Sequence, residues 1–157
     1  PTRGLIGFRN EFLIETKGTG IVNSLFAGYF PKREDIVTNP HGSLVAHEAG
    51  LSTAYSLLNS QERGELFIGP GVAVYEGQVV GENAKPSDLI VNVCKEKQLT
   101  NFRAKTEAVT SDLIPPRALT LEQALEYIGD DELLEVTPQS LRIRKRVLRN
   151  SVRKKAA

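Results

Sequence analysis

Apolar positions along the chain change their period several times, and each change marks an element. In RGLIGFRNEFLIETKGTG, Leu5, Phe8 and Phe12, supported by Ile6 and Leu13, recur at helical spacing, and Gly18 supplies a stop. This pattern predicts a helix over about 5–17. The next stretch, GIVNSLFAGYF, is rich in β-branched and aromatic residues and ends at Pro31, which predicts a strand over 19–29. PKREDIVTNPHGS, with two prolines, Gly42 and several charges, reads as a loop and a boundary.

Beyond that boundary SLVAHEAG predicts a short strand. LSTAYSLLNSQERG places Leu51, Ala54, Tyr55 and Leu58 at i, i+3, i+4 and i+7 before Gly64, which predicts a short helix. ELFIGPGVAVYEGQVVGEN is cut into short strands at Gly69-Pro70-Gly71, Gly77 and Gly81, and DLIVNVC adds a strand with Leu89, Val91 and Val93 on one face. Thr120 to Gln123 has the form of a capping box, and Leu121, Leu125 and Ile128 form a stripe ending at Gly129, so a helix is predicted over 120–128. ELLEVTP and SLRIRKRVL alternate as strands. The second places Leu141, Ile143 and Val147 opposite a ladder of Arg142, Arg144 and Arg146.

The expected fold is therefore α+β and β-rich: a small antiparallel, barrel-like sheet with a few short helices, preceded by a separate helix and strand. At 157 residues, 40% apolar and 25% charged, the chain suits one folded domain with an appendage. It begins at Pro1 and contains no methionine, which makes a piece of a longer protein the expectation. The single cysteine, Cys94, excludes an internal disulfide, and no run of about 20 apolar residues indicates a membrane span, so a reducing cytoplasm is expected.

A net charge of +1 says little, but its distribution is polarised. The stretch 122–135 holds Glu122, Glu126, Asp130, Asp131, Glu132 and Glu135 with no base. From Leu141 onward Arg142, Arg144, Lys145, Arg146, Arg149, Arg153, Lys154 and Lys155 stand without an acid. The cluster GDDELLE is expected to be an exposed acidic turn that attracts the basic strand after it. Neither a G-x-x-x-x-G-K-[ST] phosphate loop nor an Asn-Lys-x-Asp tetrapeptide occurs, so nucleotide hydrolysis has no place in these residues. His41, His47, Glu48 and Cys94 match no metal-ligand spacing, and a cysteine at a strand end is most often a small packed hydrophobe. An independent hydrolase built on His47, Glu48 and Cys94 therefore ranks last.

One segment carries candidate chemistry. In VNVCKEKQLTNFRAK the alternation ends at Cys94, and Lys95, Lys97, Arg103 and Lys105 follow, with Gln98, Thr100 and Asn101 as hydrogen bonders and Phe102 as a flat apolar surface. Cations neutralise phosphates, amides reach riboses and base edges, and an aromatic ring stacks on an unpaired base. Composition permits RNA here and equally permits a solvated loop. The length of the run to Pro115-Pro116 favours function, since structureless loops beyond about 12–15 residues are uncommon otherwise.

PTRGLIGFRNEFLIETKGTGIVNSLF, EAGLSTAYSL, ERGELFIGPGVAVYEGQVVGE, DLIVNVCKEKQLTNFR and LTLEQALEYIGDDELLEVTPQSLRIRK resemble the C-terminal part of the BipA/TypA family of translational GTPases, relatives of elongation factor G. VNVCKEKQLTN is a highly specific marker of that family. The resemblance implies that residues 1–29 are the last helix and strand of a ferredoxin-like fifth domain, 30–148 the family's own C-terminal domain, and 149–157 a basic flexible tail beyond the usual ending. It implies a cytoplasmic, ribosome-associated parent that hydrolyses GTP with Mg2+ and acts in large-subunit assembly and stress-linked translation, with no cofactor bound in this part. It further implies that the loop from Lys95 to about Ile114 contacts the A-site tRNA acceptor end and large-subunit rRNA. Lys95, Lys97, Gln98, Asn101 and Arg103 sit on the matching motif, joined from composition by Phe102 and Lys105, with Arg142, Arg144 and Arg146 as a secondary basic face. The alternative is a regulatory domain docking on the GTPase core or a ribosomal protein, suggested by the acidic 122–135 segment beside the arginines. Strand 19–29, with Ile21, Leu25 and Phe26 and no partner strand, is expected to promote self-association.

Overall fold

A computed structural model of the chain describes residues 2–5, 8–31, 42–96 and 112–152. The first of these segments is a 3-10 turn, Thr2–Leu5, followed by helix α1, Phe8–Glu15. Phe8 and Phe12 meet one helical turn apart, with ring centroids 5.6 Å from each other. The chain then leaves the helix through Lys17 and Gly18, both at positive φ.

Residues 19–31 carry the composition of a strand yet have no regular secondary structure, and Ile21, Leu25, Phe26, Tyr29 and Phe30 are exposed. The predicted strand is thus not formed among the described residues. A strand is completed by hydrogen bonds to a neighbour, and no described strand pairs with this one.

From Gly42 the chain builds β1 (Gly42–Ala46), β2 (Gly50–Leu51), α2 (Ala54–Gln61), β3 (Gly64–Leu66), β4 (Ala73–Val74), β5 (Gln78–Asn83), β6 (Leu89–Val91), α3 (Leu121–Tyr127), β7 (Glu132–Val136) and β8 (Leu141–Lys145). The main sheet runs β6-β1-β5-β8-β7, with β3 also on β5, and β2 pairs with β4 apart from it. One edge of β5 carries β1; the other carries β3 against Gly81–Asn83 and β8 against Gln78 and Val79. The fold is α+β and β-rich, as expected. Two details differ from the expectation: β6 joins β1 in parallel, which makes the sheet mixed, and among the described residues β6 and β7 remain as ends, so the sheet does not close there.

Alternation along the strands produces two cores, one on each face. Leu44, Ala46, Leu66, Val80 and Val93 pack with Leu57 of α2, while Val79 and Ile143 pack with Ala124 and Tyr127 of α3. Both helices bury faces other than the predicted ones. In α2 the buried residues are Ser56, Leu57 and Ser60, and Leu51 lies exposed in β2. Serine fits because its hydroxyl finds a carbonyl: Ser56 bonds to that of Lys95 and Ser60 to that of Ser56. In α3 Leu121 and Leu125 are exposed, because small Ala124 lets the helix approach the sheet and Tyr127 follows it inward. The predicted capping box is present, with Gln123 N donating to Thr120 Oγ1 and Thr120 N to Gln123 Oε1.

Gly77 marks a close approach. Its φ is +85° and a Cβ there would stand 2.7 Å from the backbone of Leu148. Its carbonyl accepts from Lys145 N, which ties the turn before β5 to the end of β8.

Candidate nucleic-acid interface

The basic segment begins where β6 ends. Leu89, Val91 and Val93 face the α2 core, as the alternation predicted, and Cys94 packs partly against it. Burial, and then the Glu48 carboxylate, push the Cys94 thiol above its ordinary range, which disfavours the thiolate a nucleophile needs. His47 and Glu48 are engaged elsewhere: His47 Nδ1 lies 3.4 Å from the Asn150 side-chain amide, and Glu48 accepts from Asn92 Nδ2.

At Lys95 the side chain is exposed while the backbone is fixed. Its carbonyl accepts from Thr53 Oγ1 at 2.7 Å and Ser56 Oγ at 2.5 Å. Thr53 N in turn donates to the carbonyl of Val93, and Thr53 Oγ1 accepts from Ser56 N as the N-cap of α2. The chain returns at the opposite end of the same helix. There Gln61 Nε2 donates to the carbonyl of Asp112 and Gln61 Oε1 accepts from Ile114 N, both at 3.0 Å. Leu113, between these two bonds, packs on the α2 core. Of the predicted RNA-contacting residues, Lys95 is in this described stem. Lys97, Gln98, Asn101, Phe102, Arg103 and Lys105 lie outside the described residues.

The arginine face of β8 is partly neutralised. Arg144 Nε donates to Glu135 Oε1 at 2.6 Å, and Glu135 Oε2 accepts from the Tyr75 hydroxyl at 2.7 Å. Burial first and the Glu135 bond second push the Tyr75 phenol well above its usual range. Arg146 is exposed and donates to the carbonyl of Asp130. Arg142 is also exposed.

Pattern reading missed a buried ionic cluster behind that face. Lys145 follows Leu141 and Ile143 on the inward side of β8 and stands in register with Glu132 of β7. Its ammonium is 2.6 Å from Asp88, 2.9 Å from Asp131 and 2.9 Å from Glu132. Burial works against the charge, but the three carboxylates outweigh it and hold the lysine well above its ordinary pKa. Glu132 Oε1 also accepts from Ser43 Oγ, which lies 2.8 Å from the Tyr127 hydroxyl, and Glu132 Oε2 accepts from Gly129 N. The acidic turn does attract the basic strand, as expected, but Glu132 is buried rather than exposed. The alternation contained the signal: a lysine on the apolar side of a strand requires carboxylates around it.

Fold and stems together define a β-rich α+β domain that carries a long cationic insertion with both ends held on one short helix. Over residues 41–150 the chain matches the family described as the TypA/BipA C-terminal domain, and it belongs to that family. It is 48% identical over 92% of its length to the "Large ribosomal subunit assembly factor BipA" of Synechocystis, covering 24% of that protein. It is 50% identical over 91% of its length to the "Putative elongation factor TypA-like SVR3, chloroplastic" of Arabidopsis thaliana, covering 21%. Identity with the Escherichia coli K12 "Large ribosomal subunit assembly factor BipA" is 47% over 99% of the chain, or 26% of the relative. The chain thus spans about a quarter of the length of these relatives.

Proposed function

We propose that this chain is the RNA-facing C-terminal region of a ribosome-associated translational GTPase. Its segment from Lys95 to Ile114 meets the A-site tRNA acceptor end and large-subunit rRNA. The observation that carries the reading is the stem: the chain leaves the sheet at an exposed lysine whose backbone is fixed, and then supplies Lys97, Gln98, Asn101, Phe102, Arg103 and Lys105. Cations set on a rigid base suit phosphate contact, with the amides and the ring available for unpaired bases. The names of the relatives, large ribosomal subunit assembly factors, favour the ribosome as the partner.

In this reading GTP and Mg2+ bind parts of the protein outside these 157 residues, which contain neither guanine-nucleotide motif, and the region itself is noncatalytic. Residues 1–29 belong to a preceding ferredoxin-like domain, and exposed Ile21, Leu25 and Phe26 pack on that domain or on a second chain. The protein works in the cytoplasm; among the described residues no helix is long and apolar enough to cross a membrane. Protein docking is the second reading, favoured by Leu121 and Leu125, which α3 leaves exposed beside Glu122. A photoreactive group placed at Phe102 of the intact protein decides between them. Crosslinks to RNA in ribosome complexes support the first reading, and crosslinks to protein alone overturn it.

A further inference from the structure

We propose that α2 is the brace that holds both stems of the basic segment, with Ser56 and Gln61 as positioning residues for its contact with RNA. This rests on the reading of the segment as the RNA contact. The outgoing stem is fixed at the helix's first turn by two hydroxyls on the Lys95 carbonyl. The incoming stem is fixed at its last residue by both halves of the Gln61 amide, on Asp112 O and Ile114 N. Ser56 and Gln61 are separated by about 8 Å along the axis at a rise of about 1.5 Å per residue. Lys95 on the outgoing stem and Asp112 and Ile114 on the incoming one are therefore held at two points on one helix.

The bonds of Ser56 Oγ and of the Gln61 amide do not serve the helix itself, whereas Thr53 Oγ1 both holds Lys95 and caps α2. The N-cap bond is that of Thr53 to Ser56 N, and α2 is held on the sheet by Leu57, which is fully buried. The Gln61 amide bonds only to the returning stem among its described partners. A chain of this length with free ends samples many separations, and fixing both ends removes part of the ordering cost that binding would otherwise meet. The brace thus raises affinity without touching RNA.

The test uses the intact protein and purified large ribosomal subunits. Gln61→Met keeps the size of the side chain and removes both bonds; Ser56→Ala removes one donor at the other end. Ser56→Ala is expected to weaken binding roughly fivefold, the effect of about one net hydrogen bond, and Gln61→Met, which loses two, by more than that. The dependence of log affinity on log salt stays unchanged because no cation is lost. Amide exchange at Ile114 accelerates in Gln61→Met, and the thermal midpoint confirms that both variants fold; if Gln61→Met does not, Ser56→Ala decides. Wild-type affinity in folded variants, while Lys97→Ala/Arg103→Ala weakens binding, overturns the brace and leaves the RNA reading standing. Wild-type affinity in Lys97→Ala/Arg103→Ala as well overturns both.

Discussion

Replacing Lys145 with methionine tests the energetics of the buried cluster. The lysine side chain is 4% exposed and that of Glu132 is 2% exposed, whereas Asp88 and Asp131 are 41% and 67% exposed. Removing the ammonium lets Asp131 turn to water and leaves half-exposed Asp88 with Ser43 N as a donor, so the loss concentrates on Glu132. That carboxylate keeps Ser43 Oγ and Gly129 N as donors but no counter-charge on its strand pair. Breaking a buried pair from one side costs about 3–5 kcal/mol, and that is the loss expected in urea unfolding followed by circular dichroism. Lys145→Met/Glu132→Gln, which also removes the stranded charge, should recover a large part of it. The pH dependence gives a second reading of the same cluster. Lys145 is held above its ordinary value of 10.5, so its contribution is fully present below that pH and is lost as pH rises through the folded value. The phenols of Tyr75 and Tyr127, raised chiefly by burial, lose stability in the same direction above their ordinary 10.0. Wild type should therefore show a steeper alkaline decline than Lys145→Met, by up to about 1.4 kcal/mol per pH unit for the one proton. A loss below about 1 kcal/mol with parallel alkaline slopes would refute the cluster as a stabilising element.

Two further outcomes follow from backbone geometry. Gly77→Ala places a Cβ at positive φ and 2.7 Å from the Leu148 backbone, and should cost about 2 kcal/mol or more in denaturant unfolding. Thr120→Ala removes one half of the capping box on α3 and should cost about 1 kcal/mol, read by the same titration.

How much of this was legible depended on whether the signal was local. Thr120 and Gln123 specify their cap within four residues, and the alternation of Leu89, Val91 and Val93 needed only one strand. The packed face of α2 was not legible from hydropathy, because Ser56 and Ser60 become core residues through carbonyls. Leu121 and Leu125 look like a core stripe, yet Ala124 makes the contact because a small side chain permits close approach to β8. Strand 19–29 has the composition of a strand, and pairing is a property of a neighbour. The parallel pairing of β6 with β1 joins residues some 45 positions apart and has no local mark. For the candidate site, composition located the cations but not Gln61, which lies more than 30 residues before the segment it clamps.

We propose binding of ribosomal RNA by the cations from Lys95 onward. Its most direct test is the affinity of the intact protein for ribosomes across a salt series, wild type against Lys95→Ala/Lys97→Ala/Arg103→Ala. Removing three phosphate contacts should weaken binding and reduce the slope of log affinity against log salt by about 2, at about 0.7 per contact on single strands. An unchanged affinity and an unchanged slope would rule out RNA contact by these cations.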